Sequence, residues 1–187
     1  MAISGQVAVD RDHSLIERCR SGDTAAFDEL FRTHKDRVYS VCLGVMGNPD
    51  DALDALQDCF SLVYQNIHRF DGRSRFGTWL YRIAVNSSIQ SLRKAKARPK
   101  TVPLSGDLAV ESQTNRSDNH DPAILKALAE LAPQDRALVT LYYWQDLALP
   151  EIAEIVGCSH AAAKTRLFRA RERFKELYRS LNPEAGR

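Results

Sequence analysis

Hydrophobic side chains in this chain recur every three or four residues, and no alternating strand pattern appears. Leu15, Ile16 and Cys19 begin the series, Ser21-Gly22-Asp23 breaks it, and Ala26, Phe27, Leu30 and Phe31 resume it. A further helix is predicted from Val38, Tyr39, Val41, Cys42, Val45 and Met46. Gly47-Asn48-Pro49 ends it, since proline disfavours helical backbone in the residue before it. Asp50 and Asp51 suit the next N-terminus. The helix from Asp50 to about Ile67 buries Ala52, Ala55, Leu56, Cys59, Phe60, Val63 and Ile67. Its opposite, acidic face carries Asp54, Gln57, Asp58 and Ser61. On the residues alone, solvation accounts for that face.

The loop that follows, residues 69–78, holds Arg69, Arg73 and Arg75 with Phe70 and Phe76. Basic and aromatic groups on a flexible segment suit a single nucleic-acid strand, with guanidinium on phosphate and rings against unstacked bases. In the helix from Thr78 to Lys96, a 100° step places Trp79, Arg82, Asn86, Gln90 and Arg93 in one stripe roughly 80° wide. Leu80, Ile83, Ala84, Val85, Ile89 and Leu92 cover the other sides. An indole, amides and guanidinium groups in register can stack on bases and donate to their edges, although a solvated stripe fits equally. Arg93, Lys94, Lys96, Arg98 and Lys100 follow with no acid from Ile89 to Gly106, a run suited to phosphate.

Periodicity then lapses. From about Pro99 to Asp121 the composition turns to Pro, Ser, Gly, Asn, Asp and Thr, which marks a linker whose second half is acidic. Asp121 caps and Pro122 opens a helix with Ile124, Leu125, Leu128 and Leu131 inward, and Pro133 opens another. The stretch Leu149 to Tyr178 reads as a helix-turn-helix. Ile152, Ala153 and Val156 form the buried side of its first helix, Gly157 supplies a left-handed turn, and Ser159 caps the second helix. In that second helix Ala163, Leu167, Ala170, Phe174 and Leu177 share one face. From His160 to Ser180 seven basic side chains oppose two acidic ones. A helical hairpin in a bundle core is the alternative, but a one-signed exposed surface suits a helix presented to DNA.

The fold class is therefore all-α, with two small helical domains joined by a flexible linker. The predicted division is a loose tail at 1–12, a first domain at 13–98, the linker at 99–121, a second domain at 122–181 and a frayed end at 182–187. Over 187 residues the formal net charge is only +2, so nucleic-acid affinity rests on local patches and not on the overall field. Cys19, Cys42, Cys59 and Cys158 have no Cys-x-x-Cys spacing and no histidine cluster, which points to small buried hydrophobes in a reducing compartment and away from zinc. No basic leader or eighteen-residue apolar run occurs, so a soluble cytoplasmic protein without cofactor or metal is expected.

Five segments in order carry a family resemblance. They are Ser21-Gly22-Asp23 before Ala26-Phe27; Ala52-x-Asp54-x-x-Gln57-x-x-Phe60; Arg69-Phe70-Asp71-Gly72; Thr78-Trp79-Leu80-Tyr81-Arg82-Ile83-Ala84-x-Asn86; and Glu151-Ile152-Ala153-Glu154 leading to Lys164-Thr165-Arg166-Leu167-x-Arg169-Ala170. Over about Leu15 to Leu181 the chain resembles the extracytoplasmic-function sigma factors of bacterial RNA polymerase, the two-domain branch of the sigma-70 family. The resemblance implies that Asp54, Gln57, Asp58, Phe60 and Ser61 bind the clamp helices of core polymerase. It further implies that Arg73, Arg75, Phe76, Trp79, Arg82, Asn86, Gln90 and Arg93 open and hold the −10 element. Ser159, His160, Ala162, Lys164, Thr165, Arg166 and Arg169, in the helix-turn-helix Leu149 to Phe168, would read the −35 element, with their domain also docking on the polymerase flap. An anti-sigma factor, a monomeric free state and no small-molecule substrate are implied with them.

Three positions leave the family pattern. Gln90 replaces a common aspartate, Cys59 a larger or β-branched residue, and Ala161-Ala162-Ala163 the usual Gly-Thr-Val. Alanine methyls can touch a thymine methyl but cannot hydrogen-bond a base edge, so a different −35 sequence is implied. Two rival classes are a stand-alone helix-turn-helix regulator, for which no dimerisation heptads appear, and a hydrolase using Cys158 and His160. The second fails on geometry, because residues two apart on a turn entering a helix point in different directions and no third orienting group is evident. No enzymatic activity is expected.

Overall fold

The computed structural model describes residues 2–97 and 121–182, in which every regular element is helical. The expected linker, but for Asp121, and the tail beyond Asn182 lie outside the described residues. The elements are α1 (Ala2–Arg20), α2 (Thr24–Met46), α3 (Pro49–Asn66), a 3-10 turn (Ile67–Arg69), α4 (Phe76–Ala97), α5 (Pro122–Ala129), α6 (Pro133–Tyr143), α7 (Leu149–Val156) and α8 (His160–Leu181).

Two departures from the predicted elements have clear causes. Residues 2–12, expected as a loose tail, belong to α1, since no proline intervenes before Ser21. Arg11 pairs with Glu29 of α2, and Asp12 lies 3.0 Å from His34 Nε2, so the early part of α1 has anchors of its own. The two helices expected between Ala26 and Met46 are one. The apolar gap between Phe31 and Val38 is filled by His34, a buried residue in the core stripe Ala26, Leu30, His34, Val38, Val41 and Val45. Its ring also meets Phe76 edge-on at 5.3 Å, so a residue counted as polar holds a core position.

Local caps fix the other boundaries. Asp23 accepts from Ala25 N–H and Ala26 N–H, Asn48 from Asp50 and Asp51, and Asp121 from Ala123, each satisfying backbone donors that the first helical turn leaves open. α2, α3 and α4 enclose the first core, around Val38, Val41, Cys59, Val63, Leu80 and Ala84. A second, smaller core gathers Leu128, Leu131, Val139 and Ala170, with Phe174 and Leu177 against it, where α5, α6 and α8 meet.

The two domains also pack on each other. α6 crosses α2, and α7 lies along α4, so that Leu138, Leu141, Ile152 and Ile155 join the first core. One close approach is at Gly44. A Cβ there would stand 2.1 Å from Thr140 Oγ1 and 2.9 Å from Thr140 Cβ, so only glycine admits this crossing. Beside it the buried Arg136 guanidinium donates to Val45 O at 2.9 Å, at the end of α2, and to Leu131 O at 2.9 Å and Ala129 O in its own domain. Burial lowers its pKa from the usual arginine value. A cation at the last carbonyls of α2 also meets the negative end of that helix.

Candidate nucleic-acid interface

The outer face of α3 is built by the periodicity of its core side. Ala52, Ala55, Leu56, Cys59 and Val63 point inward, which turns Asp54, Gln57, Asp58 and Ser61 to solvent. Phe60 lies elsewhere. It is 5% exposed and packs edge-on against Phe31 at 4.7 Å, supporting the helix from within rather than forming its outer face. Two residues that periodicity did not single out flank this surface: Leu62 and Tyr64, both exposed, the latter edge-on to Phe27 at 5.0 Å. The signal was available, because both are apolar side chains out of phase with the buried stripe.

The arginine-rich loop divides into an outer and an inner part. Arg73 and Arg75 are exposed, and Asp71 orders the turn by accepting Arg73 N–H at 3.1 Å. Phe70 and Phe76 are buried against each other at 5.6 Å, and Trp79 leans on both at 5.4 and 5.8 Å. Phe76, expected to meet bases, instead seals the start of α4 against His34 of α2. Trp79 is half-buried and keeps part of its ring accessible. Along α4, Asn86, Gln90 and Arg93 are exposed and Arg82 is half-buried, while Leu80, Ala84, Val85 and Ile89 face the core. The polar stripe therefore exists as one surface.

That surface has a neighbour the sequence did not disclose. Arg82 Nη2 donates to Glu154 Oε1 of α7 at 2.8 Å, and Arg75 lies 3.8 Å from Glu151. Asn86, Gln90 and Arg93 line a cleft whose other wall is Gln134 and Val156 of the C-terminal domain. Tyr81, buried beside the stripe, donates its hydroxyl to Gln145 at 3.1 Å.

The helix-turn-helix is formed by α7 and α8. Gly157 takes φ 71°, the left-handed value expected of it, and Ser159 accepts Ala162 N–H at 3.2 Å as cap of α8. Ala163 and Ala170 are buried, with Leu167, Phe174 and Leu177 beside them, so the opposite side of α8 faces outward. There Ser159, His160, Lys164, Thr165 and Arg169 are exposed, and Ala162 is half-buried. Arg166 is on the inner flank, where its Nε and Nη2 reach Asp135 Oδ1 at 3.1 and 2.8 Å. It ties the recognition helix to the first turn of α6 and is not free to reach a base. Phe168 was not singled out, yet it projects outward with 60% of its surface exposed. It borders an open groove of ≈ 810 Å³ with Tyr142, Tyr143, His160, Lys164 and Arg171.

Among the described residues, no three His, Cys, Asp or Glu side chains gather to hold a metal ion. Burial raises the thiol pKa of Cys42 to about 12 and moves that of Cys59 upward as well. No described helix is long and apolar enough to cross a membrane.

The family model described as Sigma-70 region 2 matches residues 30–98, and that described as Sigma-70, region 4 matches residues 122–174. The "ECF RNA polymerase sigma factor SigM" of Mycobacterium tuberculosis is 32% identical over 171 residues, covering 91% of this chain and 86% of the relative. The protein of the same name in Bacillus subtilis is 35% identical over 164 residues, covering 84% and 98%. Among solved structures, CnrH in complex with the cytosolic domain of CnrY aligns with a TM-score of 0.67 at 23% identity, over 91% of this chain and 98% of CnrH. The sigma factor RpoE of Bartonella quintana, in complex with the anti-sigma factor NepR, aligns at 0.62 and 22% identity, over 81% and 95%. At those identities the likeness is one of fold. With both regions matched in order and relatives of this identity spanning most of its length, the chain belongs to the extracytoplasmic-function (ECF) sigma factors of the sigma-70 family.

Proposed function

We propose that this chain binds core RNA polymerase through the outer face of α3 and confers promoter specificity through two DNA-reading elements, the α4 stripe with its preceding loop and the outer side of α8. The observation that carries the reading is their combination in one chain: an exposed acidic face on α3, a basic, amide-bearing surface on α4, and a separate basic surface on α8 of the other domain. Asp54, Gln57, Asp58 and Ser61 meet the clamp helices, with Leu62 and Tyr64 adding apolar contact at the edges. Arg73, Arg75, Trp79, Arg82, Asn86, Gln90 and Arg93 take the −10 element. His160, Lys164, Thr165 and Arg169 approach the −35 element, while Arg166 positions their helix.

The chain acts by binding, in the cytoplasm, and contributes no catalytic group. Capture of unstacked bases supplies the free energy that opens the duplex, where each extruded base costs about a few kcal/mol to unstack. Two small basic patches on a nearly neutral chain release few counterions, so core polymerase must bring the chain to DNA. One solved relative of similar fold, RpoE, is described in complex with an anti-sigma factor, and we infer a regulator of that kind here.

Run-off transcription with purified core polymerase, followed by start-site mapping, tests this reading. Added protein should give discrete starts with a shared pair of upstream elements. A stable dimer that binds a palindrome without polymerase, and no stimulated transcription, would replace it with a stand-alone regulator. Arg169→Ala should weaken −35-dependent initiation by about 1 to 3 kcal/mol if Arg169 contacts a base, and by less, whatever the sequence, if it contacts phosphate; no loss in either assay removes Arg169 from the interface.

A further inference from the structure

We propose that Arg20 of α1 is a positioning residue for the −10 element: it holds the carbonyl of Phe70, and through it the arginine-rich loop, in the place from which unstacked bases are read. The inference rests on the promoter-reading assignment above and extends that site to a helix outside the loop and the α4 stripe.

Arg20 Nη2 donates to Phe70 O, fifty positions along the chain, in a partly buried contact. Glu17, one turn earlier in α1, accepts from Arg20 Nη1 and so fixes the plane of the guanidinium. The helix that carries this donor is itself held in place. Leu15 and Ile16 are buried, and Arg18 Nε and Nη2 reach Asp23 Oδ2, on the cap of α2, at 2.9 and 2.7 Å.

The acceptor stands where the chain leaves regular structure. Phe70 N–H closes the 3-10 turn on Ile67 O at 3.2 Å, and Phe70 is then extended, with φ −67° and ψ 115°. A carbonyl at the exit of a helical turn has no following helical N–H to accept from, so Arg20 supplies the donor that the ended turn does not. The Phe70 ring is buried, 5.6 Å from Phe76 and 5.4 Å from Trp79 of the stripe. Between Phe70 and Phe76 lies the segment that carries the exposed Arg73 and Arg75. Where that segment starts decides where both guanidinium groups and the Trp79 ring meet the strand.

Packing alone does not fix that start. A cavity of ≈ 120 Å³ separates Asp12, His13 and Ile16 of α1 from Gly72, Ser74 and Arg75 of the loop. Gly72, at φ 74°, adds a hinge with no Cβ contact around it. Without the Arg20 bond the loop has both the room and the backbone freedom to settle toward α1.

Arg20→Met keeps the length of the side chain and removes its donors, whereas Arg20→Lys restores a charged donor, and one N–H is enough for a single carbonyl. Arg20→Gln, which shortens the side chain and keeps it polar, carries the same comparison should the apolar variant not fold. Each full-length variant would be assembled with core polymerase and scored by run-off transcription on the mapped promoter and on templates with single substitutions in the −10 or the −35 element. The readout is the ratio of initiation between parent and substituted template, which cancels any change in the fraction of folded protein.

A wrong base pair ordinarily weakens a protein–DNA site about fivefold to a hundredfold. In Arg20→Met that discrimination should shrink by about threefold or more at one or more −10 positions, stay unchanged at every −35 position, and return for the most part in Arg20→Lys. Unchanged −10 ratios in the apolar variant overturn the positioning role. Equal losses at both elements overturn it as well, because they mark a general disturbance of the chain, and so does a lysine variant that recovers nothing. A parent chain whose transcription is indifferent to the −10 sequence would instead reject the promoter-reading assignment itself.

Discussion

α3 and α4 are adjacent helices of one domain, and each carries a polar face away from the shared core, yet one face is open and the other is covered. Among the described residues, α3 touches only α2, α4 and the 3-10 turn, leaving Asp54, Gln57, Asp58 and Ser61 to solvent. α4 receives α6 and α7, with Glu154 on Arg82 and Tyr81 bonded to Gln145. The difference lies in what stands opposite each face: water at α3, and Gln134, Val156 and Glu154 of the C-terminal domain at α4.

The strongest way to break this comparison is at the open face. Asp54→Lys reverses charge at an exposed position, so it should abolish co-purification with core polymerase while leaving the thermal midpoint nearly unchanged. A folded variant that still binds core would show that openness on α3 has no functional meaning.

A smaller effect is expected where the cover is fastened. Arg136→Met keeps the length of the side chain but leaves carbonyls of both domains without a charged donor in a buried setting. Denaturant unfolding should show a loss of about 2 to 4 kcal/mol. Arg136→Lys should recover little, since a single ammonium does not reproduce the planar fork. A loss below about 1 kcal/mol would mean that the anchor is replaceable by water.

What was legible in the sequence was what neighbours along the chain decide. Gly157 and Ser159 at the helix-turn-helix, Asp121 before Pro122, and Pro133 each act through backbone groups within four residues, and each occupies its predicted place. What was not legible depends on partners far away in sequence. His34 fills the apolar gap between Phe31 and Val38 only through partners, Asp12 and Phe76, that are far away in sequence. Phe60 belongs to a family motif and Phe76 to an arginine-rich loop, which points to site roles, yet their rings fill the core. Arg166 counted as one more basic side chain on α8 until Asp135, 31 positions earlier, was found beside it. The cover over α4 was hidden for the same reason: a polar stripe has the same periodicity whether water or a second domain faces it.

The finest test concerns what holds the cover on the stripe. Glu154 and Arg82 are both partly exposed, with 49% and 40% of their side-chain surfaces accessible, so their ion pair is screened by water and salt. Such pairs contribute about 0.2 to 1 kcal/mol, and Glu154→Gln removes the charge while keeping the shape. The apolar crossing at Gly44 and Thr140 and the Arg136 bonds remain untouched. Affinity of the free chain for the −10 single strand should therefore rise less than about fivefold, and the gain should shrink as salt is raised through about 0.15 M, where the Debye length is about 8 Å. A rise of thirtyfold or more would move the seat of the covering from packing to charge, and α7 would then act chiefly as an imitation of the phosphate backbone.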